Sequence, residues 1–245
     1  MTNKNQENYE LKAIKCQQFA DYYKYRNPNL HIYYYLKHIK NLNKARNNTY
    51  NFRRSLNIPP TAPAWYRLVH VTQKNPFIKI HVNGERTVHE LLYKQANQYF
   101  SLSSGQHQLT IYPIGERELN FIHQSVTVDP GKYYTLVITE VSNSPVILAF
   151  EDRPDVPAGE AKIRFIHLCN NTSNLDIAVK NRDVIFPNLQ PFESTNYLGI
   201  NPMKLELEVR KTGTNEISRN LPPFTLEANQ SYSVIMTDED VILIS

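Results

Sequence analysis

Beyond residue 63, apolar and polar residues alternate with a period of two along most of the chain. In an extended strand that alternation sends successive side chains to opposite faces, so it predicts sheets with one face buried. Candidate strands run over residues 66–71, 77–82, 87–92, 97–102, 108–113, 121–128, 133–140 and 146–151. The pattern then starts again, from 161–168 through to 231–237 and 241–244. Arg67 and His70 recur as Arg164 and His167, Ile78 and Ile80 as Leu175 and Ile177, and Tyr99 as Tyr197. Leu109 and Ile111 recur as Leu207 and Val209, and Tyr134 as Tyr232. The offset is 97 at the start and 98 from Tyr99 on, so about one inserted residue separates the copies. A unit of this length is too long for a solenoid turn and long enough for a small domain.

Turn chemistry supports the strands. Asn83-Gly84 sits between two of them, and both residues tolerate the positive φ of a tight hairpin. Pro130-Gly131 makes a second turn, with Pro presetting the first central residue and Gly supplying the left-handed one. Its counterpart in the later copy has Asn229 where the first has Gly131. The expected fold class is mainly β: two tandem antiparallel β-sandwich domains of immunoglobulin-like size, with a small barrel as the alternative. The hallmark of true antibody domains is missing, because Trp65 precedes the first strand and Cys169 has no partner in its copy. The expected divisions are an arm over 1–46, a linker over 47–63, a first sandwich over 64–151, a second linker over 152–160 and a second sandwich over 161–245.

The arm differs in composition. Residues 1–63 hold eleven Lys/Arg against three Asp/Glu, a balance of +8, and eight of the sixteen tyrosines. The remainder carries 16 basic against 20 acidic residues, a balance of −4. Leu11, Ile14, Phe19 and Tyr22 have helical spacing, as do Ile32, Leu36, Ile39 and Leu42, and Pro28 separates the two runs. A short α-helical, basic, Tyr-rich arm is expected, with Tyr22, Tyr23, Tyr25, Tyr33, Tyr34, Tyr35, Lys37 and Lys40 as candidate partner-binding residues. Tyrosines offer stiff amphipathic surface and lysines steer toward acidic partners. Packing of the helices on the first sandwich or on another copy is the plainer reading. Nucleic-acid binding is the least supported, because no recognised motif backs it and the acidic domains oppose it.

Candidate chemistry is sparse. His70 and His167 hold equivalent places at strand ends and are expected to be buried imidazoles bonded to nearby backbone. With Arg67 and Arg164 they form a set of repeat-equivalent structural residues. Zinc needs three or four donors, and no Cys/His cluster accompanies either histidine. Cys16 and Cys169 are read as lone thiols. Glu116 with Glu118, Glu206 with Glu208, and the Asp238–Asp240 turn are read as solvated charge. No nucleophile elbow, phosphate-cradling loop or calcium loop occurs, so no catalytic residue, metal or cofactor is expected and the chain is read as non-enzymatic. No eighteen-residue apolar run spans a membrane, and the start lacks the apolar core of a secretory signal.

Several motifs together resemble a bacterial domain family. They are Arg67 and His70 on the first strand, Ile78 to Gly84, Tyr99 to Gly105, and Pro130 to Val137. The second copy shows the same outline through Arg164, His167, Leu175 to Val179, Tyr197 and Tyr232. This arrangement resembles the DUF4397 family, often found as tandem pairs on envelope-associated proteins, over residues 64–245 and not the arm. That family's Ser-Pro-Asp after the histidine is replaced here at Thr72 to Lys74 and Asn170 to Thr172; its second-strand Asp is Lys79 in one copy and Asp176 in the other. The resemblance implies a β-sandwich in a structural or surface setting and no established reaction. The function expected is a non-catalytic structural or adhesive component of a bacterial surface layer, a spore coat or exosporium, held through the arm. Other envelope or spore-coat proteins, or a second copy, are its expected partners. Synthesis in the cytoplasm and placement on the spore surface follow, with a cytoplasmic location as the alternative. The rival function is a carbohydrate-binding module using loops at one end of the sandwich, for which Trp65 and Tyr66 are too few to make a platform unless loop tyrosines join them.

Overall fold

The computed structural model describes residues 2–23, 30–31, 33–38, 40–41, 62–114, 122–170 and 173–245. The chain divides into two compact units, Met1–Ile58 and Pro59–Ser245.

The first unit contains α1 (Thr2–Tyr23), a helix without glycine or proline. Residues 30–31, 33–38 and 40–41 are also helical. The buried face of α1 is not made by its evenly spaced large apolar residues. Leu11, Ile14, Phe19 and Tyr22 are all about half exposed, whereas Ala13 and Ala20 are fully buried. Two small residues seven apart let the backbones approach, so the ring nitrogens of His31 and His38 reach the carbonyls of Ala20 and Ala13 at 2.7 and 2.9 Å. Of the second predicted run, Ile32, Ile39 and Leu42 lie outside the described side chains, as does Pro28.

The second unit is mainly β. Its first half holds β1 (Ala64–His70), β2 (Phe77–Val82), β3 (Glu85–Leu92), β4 (Phe100–Leu102), β5 (Gly105–Pro113), β6 (Ile122–Val128), β7 (Tyr133–Val141) and β8 (Ser144–Asp152). The second half holds β9 (Ala161–His167), β10 (Leu175–Val179), β11 (Val184–Leu189), β12 (Leu198–Ile200), β13 (Met203–Leu205), β14 (Leu207–Lys211), β15 (Ile217–Asn220), β16 (Phe224–Leu226), β17 (Ser231–Met236) and β18 (Val241–Ile244). Strand order is β4-β1-β7-β8 over β3-β2-β5-β6 in the first half, and β12-β9-β17-β18 with β11-β10-β14-β15 in the second, where β13 and β16 pair separately. Pairing is antiparallel except at the centre of each main sheet, where β1 runs parallel to β7 and β9 parallel to β17. The first core lies between its two sheets and includes Tyr66, Leu68, Ile78, Ile80, Leu109, Ile111, Leu136 and Ile138.

Local chemistry sets the details in both halves alike. Asn83 and Gly84 take φ of 53° and 86°, the pair of positive values a tight hairpin requires. Gly131 and its counterpart Asn229 both take the left-handed conformation, with φ of 70° and 64°. The strand expected over 97–102 shortens to β4 because Asn97 bonds β1 with its side chain, its Oδ1 accepting from Leu68 N at 2.5 Å. Thr195 Oγ1 does the same for Phe165 N at 3.0 Å. The Tyr134 hydroxyl accepts from Asp129 N at 3.2 Å and the Tyr232 hydroxyl from Glu227 N at 3.1 Å, each pinning the corner that enters its strand. At the outer edge of β8, the Gln124 amide bonds both the N–H and the carbonyl of Ile147, at 2.9 and 2.8 Å. It takes the place of a neighbouring strand there and blunts an edge that would otherwise template pairing.

The two sandwiches share a further core. Val69, Val71, Val137 and Phe150 from the first pack with Ile166, Leu168, Ile235, Ile242 and Ile244 from the second. β1 and β9 are therefore buried on both faces, and every residue of β9 is buried. Each aliphatic side chain fully buried in this way contributes about 1.5–3 kcal/mol relative to exposure.

Candidate functional site

A group of convergent polar side chains lies where the two sandwiches meet. Arg67 and Arg164 stand at equivalent positions of β1 and β9, on the face turned away from each sandwich's own core. Both are almost fully buried, and both reach one carboxylate, Asp152 at the end of β8. Arg67 Nη2 lies 3.3 Å and Arg164 Nη2 3.1 Å from Asp152 Oδ2. The remaining guanidinium contacts repeat the symmetry. Arg67 Nε donates to Thr135 Oγ1 at 3.1 Å, and Arg164 Nε to Ser233 Oγ at 2.8 Å. Arg67 Nη1 donates to the Ser245 carbonyl at 3.0 Å, and Arg164 Nη1 to the Glu151 carbonyl at 2.7 Å. Strand register makes Glu151 and Ser245 equivalent, since Thr135 pairs with Phe150 and Ser233 with Ile244. Each arginine therefore crosses to the other sandwich, as in an isologous dimer interface.

Two equivalent tyrosines close the group. The hydroxyls of Tyr99 and Tyr197 donate to Asp152 Oδ2 and Oδ1 respectively, while their rings lie under Arg67 and Arg164 at 5.0 and 4.8 Å. Thr135 Oγ1 donates to Asp152 Oδ2 at 2.5 Å, and Arg153 N to Oδ1 at 2.8 Å. Burial by itself would push the Asp152 carboxyl up, but Arg164, Arg67 and the hydroxyl donors outweigh it and hold the group well below the ordinary carboxylate range. Burial, and then Asp152 itself, hold the Tyr99 hydroxyl far above its usual range, so it stays a neutral donor; burial raises Tyr197 likewise. Lys162 lies against the Tyr197 ring at 4.6 Å and donates to the carbonyls of Arg153 and Asp155. Burial brings its ammonium down to about 8. Every strong group here is engaged by another. An arginine-held carboxylate is a poor base and a raised tyrosine a poor nucleophile, and these groups clamp the sandwiches together.

The histidines at the ends of the same strands close loops. His70 and His167 are fully buried. His70 Nε2 donates to the Asn75 carbonyl at 2.6 Å, while Nδ1 faces Thr72 N at 3.4 Å and Thr72 Oγ1 at 3.2 Å. In the second copy His167 Nδ1 accepts from Cys169 N at 3.3 Å, and the ring bonds the Ser173 backbone. Burial lowers both imidazoles below their usual value, against the pull of those carbonyls.

Some charges expected in solvent are not there. Glu208 is buried and holds Arg210. Asp240 receives the Tyr93 hydroxyl, the Gln73 amide, and Lys94 Nζ at 2.5 Å, joining a turn of the second sandwich to loops of the first. Tyr66 is a core residue and not a surface platform. Glu116 and Glu118 lie outside the described residues. Asp152, the centre of the clamp, opens the segment read as a linker; the recurrences of Arg67 as Arg164 and of Tyr99 as Tyr197 are its signals in the sequence.

In the arm unit the candidate residues divide. Tyr22, Tyr33, Lys37 and Lys40 are exposed, Tyr23 and Tyr34 half-buried, and Tyr35 buried; Tyr25 lies outside the described residues. Tyr34 stacks on Phe19 and Tyr23 at 5.0 and 5.7 Å, and Lys37 lies over the Tyr33 ring at 4.3 Å. A groove of about 460 Å³ is lined by Lys12, Lys15, Lys37 and Lys40 around Phe19 and Tyr34, with Cys16 and Asn41 completing it. Cys16 and Cys169 are free thiols, and burial pushes Cys169 up to about 11. Among the described residues no set of three His, Cys, Asp or Glu side chains is placed to hold a metal ion, and no helix is long and apolar enough to cross a membrane.

No curated protein matches the chain. Among solved structures, the Bacillus anthracis TIE protein is similar at 13% identity over 72% of this chain, with a TM-score of 0.24. The chain spans 33% of that protein. A Bacteroides fragilis protein described as "a putative cell adhesion protein" is similar at 12% identity over 71% of this chain and 84% of that one, with a TM-score of 0.18. Residues 64–178, the whole first sandwich and the opening strands of the second, match the family model described as Domain of unknown function (DUF4397).

Proposed function

We propose that this chain is a non-catalytic structural or adhesive component of a bacterial surface layer, with a spore coat or exosporium as the specific setting, and that it docks through the first unit. One observation carries the reading. The convergent polar groups between the sandwiches are spent on one another, while the arm unit presents four lysines around an aromatic floor. Like charges three residues apart on a helix disfavour it slightly, so Lys12 with Lys15 and Lys37 with Lys40 are a cost that an acidic partner offsets. In this reading residues 161–245 are a second copy of the family domain, and the clamped pair is a rigid body delivered to its layer by the arm. Neither half is assigned a reaction.

The test is to follow a tagged full-length chain through growth and sporulation, alongside a variant with Lys12, Lys15, Lys37 and Lys40 changed to Glu. Recruitment of the parent to the spore periphery and loss of recruitment in the variant are expected. A uniform cytoplasmic signal for the parent at every stage overturns the proposal.

A further inference from the structure

The outer face of the sheet β11-β10-β14-β15 carries a polar pocket that the clamp does not use. Glu208 and Arg210 stand two apart on β14 and so share that face. Arg210 donates to Glu208 Oε1 through Nε at 2.8 Å and Nη2 at 2.5 Å, and Nη2 also reaches the Arg182 carbonyl at 2.8 Å. Glu208 Oε2 accepts from Asn181 N at 3.3 Å. The β10–β11 turn, with Asn181 in the left-handed conformation at φ 57°, is thereby held over the sheet. Arg210 Nη1 donates to no acceptor among the described residues. Above this pair lies a pocket of about 450 Å³ lined by Asn181, Arg182, Asp183, Glu208, Arg210, Asn215 and Ile217.

We propose that this pocket binds a neutral saccharide. Its charged lining balances, Arg182 and Arg210 against Asp183 and Glu208, so an anion gains from two groups and is repelled by two. Sugar hydroxyls each donate and accept, and the lining offers both: guanidinium and amide N–H groups beside carboxylate and amide oxygens. Ile217, 46% exposed, supplies an apolar surface for the C–H face of a pyranose ring. The buried Glu208–Arg210 pair makes the floor rigid, so binding need not order it. The first sandwich lacks the site, because Thr110 and Tyr112 hold the positions equivalent to Glu208 and Arg210. The proposal is independent of the docking role of the arm.

Asp183→Ala with Asn215→Ala tests it. Both side chains are exposed, and neither takes part in the Glu208–Arg210 latch. The full-length parent is screened on an array of neutral and acidic glycans. It is then titrated, by backbone amide chemical shifts, with chitobiose, maltose and glucuronate. Binding of a neutral glycan is expected, with shifts centred on residues 181–183 and 215–217, and at least a tenfold loss of affinity in the double variant at an unchanged melting temperature. Binding of glucuronate alone overturns the neutral class. Absence of any neutral glycan hit, or neutral binding that the double variant retains, overturns the site.

Discussion

Where the two sandwiches face each other, they carry nearly the same residues; on their far sheets they do not. Arg67, Tyr99 and Thr135 answer Arg164, Tyr197 and Ser233, in the same bonds to the same kinds of atom. On the far sheets, Lys79 and Tyr112 stand where the second copy has Asp176 and Arg210, and His81 and Thr110 where it has Ala178 and Glu208. A reciprocal interface ties each copy's residues to the other's, so a change on one side leaves a buried group unpaired on both. The far faces carry no such mutual requirement. Both arginines depend on Asp152.

That dependence predicts the largest effect. Asp152→Ala leaves two buried guanidinium groups without a carboxylate, and losing one partner of a buried pair costs about 3–5 kcal/mol. Calorimetry of the variant should show residues 59–245 unfolding in a single transition at markedly lower temperature. Two separate transitions in the parent protein would mean that the sandwiches are not coupled through this interface.

A sharper form of the comparison pits the arginines against each other. Arg67→Met and Arg164→Met should each destabilise by about 3 kcal/mol, since each strands Asp152 with half of its positive charge. The triple change Arg67→Met, Arg164→Met, Asp152→Leu should cost less than the two single changes added together, because it leaves no charge unpaired. Urea midpoints decide both points, and clearly unequal single losses would break the equivalence of the two halves.

The pH dependence separates clamp from loop locks. His70 and His167 are held below their ordinary value by burial, so the unfolded chain binds more protons than the folded one as pH falls below about 6.5. Their contribution is fully present above that value and lost as pH falls through the lowered folded values. Asp152, also held low, contributes fully above the unfolded carboxylate range near about 4 and loses its share only below it. Urea midpoints should therefore fall in two stages on acidification. Replacing either histidine with Gln should flatten the upper stage by similar amounts.

The smallest effects belong to positions with no counterpart at the interface. Gln124→Ala removes the two bonds to the Ile147 backbone and should cost about 1 kcal/mol. Lys74→Ala removes the exposed pair with Glu140 and should change stability by less than about 1 kcal/mol.

Strand positions and turns were legible because they are local. Alternation located all eight strands of the first half, and Asn83-Gly84 and Pro130-Gly131 marked turns that the backbone adopts. The arm shows where local pattern misleads: helical spacing of Leu11, Ile14, Phe19 and Tyr22 suggested a seam, yet two alanines form it, since close backbone approach favoured small side chains over large ones. Glu208 shows the same limit. A charged residue in an alternating strand reads as solvent-facing unless a distant turn covers it.

What the residue order determined by itself was a doubled β-sandwich with a cationic aromatic lead, because side-chain periodicity, turn chemistry and internal repetition are all properties of short windows. Tertiary structure alone decided that the two copies share a core and that two arginines converge on Asp152. The groups concerned lie 85 residues apart for Arg67 and Asp152 and 178 apart for Arg67 and Ser245, and no periodicity within a strand records which distant carbonyl or carboxylate its outward face will meet.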